Sequence, residues 1–238
     1  MNTIFNKIID IIYPLDCRCL ACGHTLYHNE HMLCDKCAAG LKPIEGRRCR
    51  VCSRRLYMEE ELAEGLCGGC RHLPLERRIF GGAPFDHGET AARLVYALKY
   101  EHIIAAAEPL IPGMLNELPK GFDALVPVPL HVRRQRVRGY NQSMALCEAL
   151  GRASGLPILN ALRRTRATRQ QMKLAADERE ANVSRAFEVI KPVGGKRLII
   201  VDDVRTTGWT ILSCADELYL KGAINVRSLT ATLAVIGR

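Results

Sequence analysis

Eight of the eleven cysteines in this chain form four Cys-x-x-Cys pairs. Two thiolates separated by two residues can bind one tetrahedral ion from a tight turn, and two such pairs complete a closed four-cysteine zinc site. The spacing therefore predicts two structural zinc ions, with one zinc ion plus redox cysteines as the alternative. The predicted ligands are Cys19, Cys22, Cys34, Cys37, Cys49, Cys52, Cys67 and Cys70.

The spacing leaves open how the four pairs combine into two sites. A sequential arrangement joins the two pairs within residues 19–37 and the two pairs within residues 49–70, whereas a cross-braced arrangement alternates them. The short spacers within each foursome favour the sequential arrangement. The neighbouring residues Cys17, His24, His28 and His31 could substitute as ligands, but they are interpreted as bystanders.

A secreted disulfide scaffold is the competing interpretation of so many cysteines. However, the apolar segment at residues 4–12 is interrupted by Asp10, ends at Pro14 and is not followed by a small-residue cleavage site. It therefore predicts a short amphipathic helix and not a secretory signal. No apolar run approaches the ~20 residues that a membrane span requires. We expect a thiol-rich protein of the cytoplasm without a membrane-spanning segment.

A second chemical motif lies near the C-terminus. An apolar segment at residues 198–201 leads into Asp202 and Asp203, and a Thr-Thr-Gly-x-Thr sequence follows at residues 206–210. A loop that opens a helix exposes backbone N–H groups, which together with the helix dipole favour a phosphate. The two acids stand where α/β sheets bind ligands, and they can accept hydrogen bonds from the vicinal hydroxyls of a ribose. A helix cap at Asp203 is the alternative, but a cap needs only one acid.

The composition, 48% apolar and 25% charged, is that of a globular protein and excludes long disorder and fibrous classes. The formal charge of +9 is unevenly distributed, because residues 131–185 contain 12 Lys+Arg and 4 Asp+Glu. A solvated helix face often carries such charge. The alternative is a surface or mobile loop that meets a polyanion such as pyrophosphate or nucleic acid.

These residues need elements that position them, and apolar periodicity predicts strands alternating with helices after the cysteine block. The predicted helices cover residues 89–100, 103–118 with breaks at Pro109 and Pro112, 140–153, 177–185 and 210–221. The predicted strands cover residues 123–130, 197–201 and 225–234, with a linker at 73–82 and a polar loop at 163–173. This alternation predicts an α/β fold with a mostly parallel sheet and helices on both faces. We expect two domains, a zinc-binding module with its N-terminal helix at residues 1–75 and an α/β domain at residues 76–238.

The segment at residues 198–210 resembles the ribose-5-phosphate motif of the type I phosphoribosyltransferases, in which an apolar strand and two acids precede Thr-Gly-x-Thr. Further motifs, in order, resemble the competence protein F (ComF) family over essentially the whole chain. Besides the paired cysteines they are Leu98-Lys99-Tyr100, Val126-Pro-Val-Pro-Leu-His131 followed by Arg134, Arg138 and Gly139-Tyr-Asn-Gln142, and Arg166-x-Thr168-x-x-Gln171-x-x-Leu174 leading to Glu178-Arg179 and Asn182-Val-x-x-Ala-Phe187. The phosphoribosyl motif alone is specific to a superfamily, whereas the ordered set is specific to this one family.

The resemblance implies a phosphoribosyltransferase-like α/β domain behind a double zinc module. It implies that Asp202 and Asp203 hold the ribose hydroxyls of a ligand. The 5-phosphate would then be bound by Arg205, Thr206, Thr207, Gly208 and Thr210. The residues that contact pyrophosphate in relatives, together with those of their mobile loop, correspond here to Lys99, Arg134, Arg138, Arg166, Gln171 and Lys173. In relatives Mg²⁺ bridges pyrophosphate and ribose oxygens, as its preference for substrate phosphates would lead one to expect.

The implied function is binding of phosphoribosyl pyrophosphate (PRPP) or a related ribose-5-phosphate ligand with Mg²⁺, in DNA uptake or DNA utilisation. Transfer of the phosphoribosyl group would go to an unidentified acceptor, because Thr206 stands where purine-salvage relatives have a proton-accepting Asp. The alternative is a non-catalytic module that binds single-stranded DNA or nucleotides together with competence partner proteins. Trp209 is expected to pack in the core, and a stacking face for a base is the other interpretation.

Overall fold

The computed structural model describes residues 17–26, 32–165 and 186–234. The predicted helices at residues 4–12 and 177–185 lie outside these ranges, as do Arg166, Gln171 and Lys173. In chain order the strands are β1 (Gly81–Gly82), β2 (Phe85–Asp86), β3 (Ala124–Pro127), β4 (Leu162–Arg164), β5 (Phe187–Val189), β6 (Arg197–Arg205) and β7 (Asn225–Leu233). The α-helices are α1 (Asp35–Gly40), α2 (Glu59–Glu64), α3 (Gly68–Arg71), α4 (Glu89–Tyr100), α5 (Ile111–Asn116), α6 (Val132–Arg138), α7 (Gln142–Ser154) and α8 (Trp209–Leu220), with 3-10 turns at Leu75–Arg77 and Ile104–Leu110.

A parallel sheet forms the centre of the α/β part. Strand β6 pairs with β3 on one side and with β7 on the other, and the short β1 and β2 pair with successive parts of β7. All of these pairings are parallel, as the alternation of strands and helices predicts. The prolines of the β3 region obey the rule for strands, because Pro127 is the last strand residue and Pro129 lies beyond it.

Both faces of the sheet are covered. Leu125, Ile199 and Val201 pack in one apolar cluster with α4, α5 and α7, whereas Val126 and Ile200 pack in a second cluster with α8. Successive strand residues point to opposite faces, so a strand buried on both faces is apolar throughout. The predicted α/β class with helices on both faces is confirmed. Within the described ranges, no helix is both long enough and apolar enough to cross a membrane.

Two cysteine-rich halves with the same local design precede the sheet. In each half a tight turn holds the first Cys-x-x-Cys pair. The N–H of Cys19 donates to the His24 carbonyl at 2.8 Å, and the N–H of Cys49 donates to the Arg54 carbonyl at 2.7 Å. The second pair of each half lies at a short helix, α1 in the first half and α3 in the second. We call these halves the first ribbon (described residues 17–26 and 32–40) and the second ribbon (residues 47–71).

The two ribbons contact the sheet domain differently. The first ribbon contributes Cys19, Leu20, Leu33 and Cys37 to the apolar cluster that contains α4 and α7. The second ribbon has a small apolar cluster of its own. It reaches the sheet domain through polar contacts, including ion pairs from Arg48 to Glu117 at 2.7 Å and from Arg55 to Asp86 at 3.3 Å.

Several local features differ from the predictions. Helix α6 was not predicted, because its seven residues carry no apolar stripe; a His131 cap and Gly139 with φ 75° define its ends. Part of the predicted polar loop at 163–173 is strand β4, which pairs antiparallel with β5. The predicted linker at 73–82 contains a 3-10 turn and strand β1, so the chain is already part of the sheet at Gly81.

Candidate functional site

Two adjacent carboxylates, Asp202 and Asp203, lie near the carboxyl end of strand β6. The sequence predicts that the strand ends at Val201, but it continues to Arg205 because its backbone keeps pairing with β7, with Asp202 beside Thr230. Both carboxylates are therefore held by the sheet and not by a loop, and both are buried. They lie at the edge of a parallel sheet where α/β proteins bind ligands.

One carboxylate oxygen of Asp202 accepts two hydrogen bonds. The hydroxyl of Ser143, in the first turn of α7, donates to Oδ1 of Asp202 at 2.9 Å, and the N–H of Asp203 donates to the same atom at 3.0 Å. Burial and the neighbouring charge of Asp203 raise the pKa of Asp202 from 3.8 to about 7. This carboxyl group therefore keeps its proton to a higher pH than an ordinary aspartate does.

Asp203 has a cationic partner on helix α4. The Nζ atom of Lys99, in the last turn of α4, lies 2.9 Å from Oδ2 of Asp203, an ion pair without the alignment of a hydrogen bond. The Tyr140 hydroxyl donates to the Leu98 carbonyl and so ties the end of α4 to the start of α7. The predicted ligand-binding residue Lys99 is thus fixed beside the acid pair.

Four arginines line the same cavity as the two acids. The cavity has a volume of about 640 Å³, and Arg133, Arg134 and Arg138 line it from α6, while Arg164 lines it from β4. Burial and repulsion by the neighbouring charge of Arg134 lower the pKa of Arg164. An anion in the cavity would relieve that repulsion.

Arg138 is held in place on both sides. Its Nη1 atom donates to Oε1 of Gln142 at 2.6 Å, and its guanidinium lies 5.3 Å from the centre of the Tyr100 ring. The cavity therefore combines two carboxylates, which suit sugar hydroxyls, with an excess of positive charge, which suits phosphates.

The predicted 5-phosphate residues are divided between two cavities. Thr210 lines the cavity of the acid pair. Thr206, Thr207 and Gly208 line a second cavity of about 480 Å³, whose other wall is the second ribbon. Arg205 is buried under this turn, at 8% exposure.

Most of the predicted site residues that the structure describes are therefore brought together, and their roles stay predictions. Sequence reasoning missed Ser143, which holds Asp202 from the first turn of α7. It also missed Arg133, which lines the cavity of the acid pair (the acid cavity) from the unpredicted helix α6. An Asn-x-Ser cap before an apolar helix is a signal that could have placed Ser143 near a strand end. Trp209 is half-buried: it packs against the apolar cluster around α8, and its ring lies 5.8 Å from the Arg77 guanidinium.

The eight predicted zinc ligands form two compact groups. The groups are Cys19, Cys22, Cys34 and Cys37, and Cys49, Cys52, Cys67 and Cys70, with all sulfurs in each within 4.8 Å of one another. This is the sequential arrangement. Sulfurs around a tetrahedral zinc ion are about 3.8 Å apart. The separation of the Cys22 and Cys34 sulfurs is 3.8 Å and that of the Cys52 and Cys67 sulfurs is 3.5 Å, so both groups fit a zinc ion.

Comparison with known proteins addresses both parts of the chain. A family model described as a double zinc ribbon domain matches residues 8–71. The chain is 39% identical over 208 residues to competence protein F of Haemophilus influenzae, which covers 82% of this chain and 87% of that protein. It is 34% identical over 197 residues to DNA utilization protein YhgH of Shigella flexneri, which covers 75% of this chain and 87% of that protein.

Among solved structures, a glutamine phosphoribosylpyrophosphate amidotransferase from B. subtilis is 20% identical with a TM-score of 0.39, over 55% of this chain and 26% of that chain. The fold and the site define the class of protein: a double zinc ribbon joined to a parallel α/β domain with an acid pair at the end of a strand. The chain belongs to the family of competence protein F and DNA utilization protein YhgH.

Proposed function

We propose that this chain binds PRPP or a related ribose-5-phosphate ligand, entering as a complex with Mg²⁺. The observation that carries the proposal is the cavity in which Asp202 and Asp203 lie with Lys99 and four arginines. A ribose diol donates hydrogen bonds to carboxylates, and a pyrophosphate accepts them from guanidinium groups. Few small ligands other than a phosphorylated sugar present both features at once.

The magnesium ion would be held mainly by the ligand. Among the described residues only the two cysteine groups bring together three or more metal-ligating side chains, so the acid cavity contains no magnesium cage made by the protein. Magnesium keeps several waters and commonly binds substrate phosphates with one or two carboxylates. Lys99 and the arginines would neutralise the remaining pyrophosphate charge.

The reaction that this arrangement supports is transfer of the phosphoribosyl group to an acceptor amine or base. The bond from C1 of the ribose to the pyrophosphate oxygen would break, and a bond from C1 to the acceptor nitrogen would form. The proton that the acceptor nitrogen loses would pass to water or to the leaving pyrophosphate. The protein contributes positioning of the ribose and stabilisation of the leaving pyrophosphate.

We place this activity in DNA uptake or DNA utilisation, as the names of the relatives suggest for those proteins. We also propose a cytoplasmic location, which the thiol-rich composition supports. We also propose that residues 1–75 and 76–238 are the two domains.

A second function, binding of single-stranded DNA with competence partner proteins, is favoured by the exposed arginines of α6, whose basic face extends beyond the cavity.

Isothermal titration calorimetry with PRPP and Mg²⁺ tests the first function. We expect binding by the wild-type chain and a loss of at least about tenfold in affinity when Asp202→Asn is combined with Asp203→Asn, because the diol loses two charged acceptors. Asp123→Asn is the matched control, since Asp123 pairs with Arg197 at the opposite end of the same strand. No heat of binding at millimolar PRPP would overturn the proposal.

A further inference from the structure

Two separate parts of the chain, the second ribbon and the turn at residues 206–208, form the walls of one cavity. One wall consists of ribbon residues, among them Cys52, Arg54 and Cys70, and the other contains Thr206, Gly208 and Trp209. The part of the chain that is predicted to bind a ligand phosphate thus faces a metal-binding module. The helix that follows this turn also reaches the cavity of the acid pair, which Thr210 lines.

A buried guanidinium lies under the turn. Arg205 is 8% exposed, and its Nη1 donates to the Ser228 hydroxyl at 3.3 Å. Among the described residues it forms no ion pair with a carboxylate. It lines the cavity next to Gly208, which has φ 88° and caps the twelve-residue helix α8. An uncompensated buried cation beside a helix N-terminus strongly favours an anion.

A second guanidinium reaches this turn from the ribbon. Nη2 of Arg54 donates to the Thr206 carbonyl oxygen at 3.3 Å. A guanidinium carries five N–H donors, so this single bond leaves most of them for a ligand. Within the described ranges Arg54 has no carboxylate partner either. The acid in the cavity wall, Glu61, already accepts from the N–H groups of Gly68 at 2.9 Å and Tyr57 at 3.3 Å.

The zinc-binding turn itself sets the position of Arg54. Ser53 adopts φ 62°, its N–H donates to the Cys49 carbonyl at 2.9 Å, and the Cys49 N–H donates to the Arg54 carbonyl. The first ribbon has the same turn, in which Gly23 has φ 71° and His24 stands in the place of Arg54. His24 is exposed. The two copies of one structural unit therefore differ at the residue that meets the turn.

The ribbon and the turn are also attached to two neighbouring strands. The N–H of Gly81, in β1, donates to the Val51 carbonyl at 2.9 Å, and the Ser53 hydroxyl donates to the Gly81 carbonyl at 3.0 Å. Gly81 pairs with Ser228 of β7, the residue that holds Arg205. A side chain at Gly81 would meet the Ser228 hydroxyl at 1.9 Å, so the approach of the two strands depends on this glycine.

We propose that the second ribbon is part of the ligand site, with Arg54 contributing a guanidinium to the phosphate monoester that binds at the turn of residues 206–208. The inference rests on the proposed function and deepens it. It assigns the second zinc ion a role in ligand affinity, because the zinc-bound turn positions Arg54. The first ribbon has no such role.

Calorimetric titration with ribose 5-phosphate tests this proposal. We expect Arg54→Ala to weaken binding at least about tenfold, because it removes a charge-assisted hydrogen bond, and Arg54→Lys to restore part of the affinity. Arg50→Ala is the matched control: it removes an arginine of the same turn, whose Nη2 donates to the Glu64 carbonyl and which does not line the cavity. Zinc content, measured by elemental analysis, should be the same in all four proteins.

The outcomes separate the two proposals. The inference is wrong if Arg54→Ala keeps its zinc and binds ribose 5-phosphate as tightly as the wild type. The proposed function still stands in that case if the double variant Asp202→Asn, Asp203→Asn loses affinity for PRPP. If the wild type binds neither ligand, both are wrong. Trp209, the single tryptophan of the chain, lines the same cavity, so quenching of its fluorescence gives an independent readout of occupancy.

Discussion

The surroundings of Asp202 disfavour its charged form. It is buried, it adjoins the charge of Asp203, and the Ser143 hydroxyl compensates only in part. The pKa of Asp202 rises from 3.8 to about 7 for these reasons. A diol that donates hydrogen bonds favours the charged form, so ligand binding should lower this pKa and release protons.

This shift predicts how stability depends on pH. Between about pH 4 and pH 7 the folded chain keeps a proton on Asp202 that the unfolded chain has lost, so this residue makes stability fall as the pH rises. The Asp202→Asn variant lacks this penalty. We expect it to be more stable than the wild type at pH 8, by up to about 4 kcal/mol, and to lose that advantage below about pH 4. Denaturant unfolding at a series of pH values measures the difference.

Asp123→Asn serves as the control of opposite sign. Hydrogen bonds from Arg197 lower the pKa of Asp123, so its carboxylate stabilises the fold above the ordinary pKa of an aspartate and less so as the pH falls. This variant should be less stable than the wild type at neutral pH. An Asp202→Asn variant that shows the same pH dependence as the wild type would contradict the assignment.

At the residue scale, the sequence predicted what a local motif contains and missed what tertiary contacts add. Asp202 and Asp203 follow from their position after an apolar segment. Ser143 is 59 positions away from Asp202 along the chain, and only the pairing of β3 with β6 and the packing of α7 bring them together. Arg54 is 152 positions from Thr206, so no local pattern could connect a ribbon to the turn.

At the scale of elements, helix α6 presents arginines in two directions. Arg133, Arg134 and Arg138 line the acid cavity, whereas Arg136 is exposed and does not. The helix has no apolar stripe, so its side chains contribute little to the core. Its arginines are therefore available for ligands.

This difference yields a prediction that separates the two candidate functions. Arg138→Ala should weaken PRPP binding by about tenfold, because it removes a guanidinium from the cavity. Arg136→Ala should leave PRPP affinity unchanged and should reduce the salt dependence of single-stranded DNA binding by about 0.7, the slope that one phosphate neutralised by an arginine contributes. Calorimetry with PRPP and fluorescence anisotropy of a labelled oligonucleotide at several salt concentrations measure both. DNA affinity that responds to neither change would exclude α6 as the DNA-binding element.

Elements with a strong apolar period were predictable, and elements defined by pairing or charge were not. Helices α4, α7 and α8 and strand β7 lie within two residues of the predicted bounds, because each buries a continuous apolar face. Strand β6 is longer than predicted, because backbone pairing with β7 extends it through two acids. Strand β1 consists of two glycines, which have no side-chain signal at all.

At the scale of the whole molecule, the two ribbons are attached by different forces. The first shares an apolar cluster with the helices of the sheet domain, and the second is joined by ion pairs and hydrogen bonds. Apolar burial stabilises more than exposed or half-exposed ion pairs. The first ribbon should therefore support the sheet domain, while the second can separate from it at lower cost.

Substitution of matched zinc ligands tests this asymmetry. Cys19 and Cys49 are each the first ligand of their ribbon and are each 2% exposed. We expect Cys19→Ala to destabilise the sheet domain by about 2–4 kcal/mol, because releasing the first ion removes buried apolar contacts from its core. Cys49→Ala should leave the stability of the sheet domain nearly unchanged. Hydrogen exchange of the amides in β6 and α7 measures the effect, with zinc content falling from about two ions per chain to about one in both variants. Equal loss of exchange protection in the two variants would show that the ribbons support the sheet equally, and the assigned difference in their attachment would be wrong.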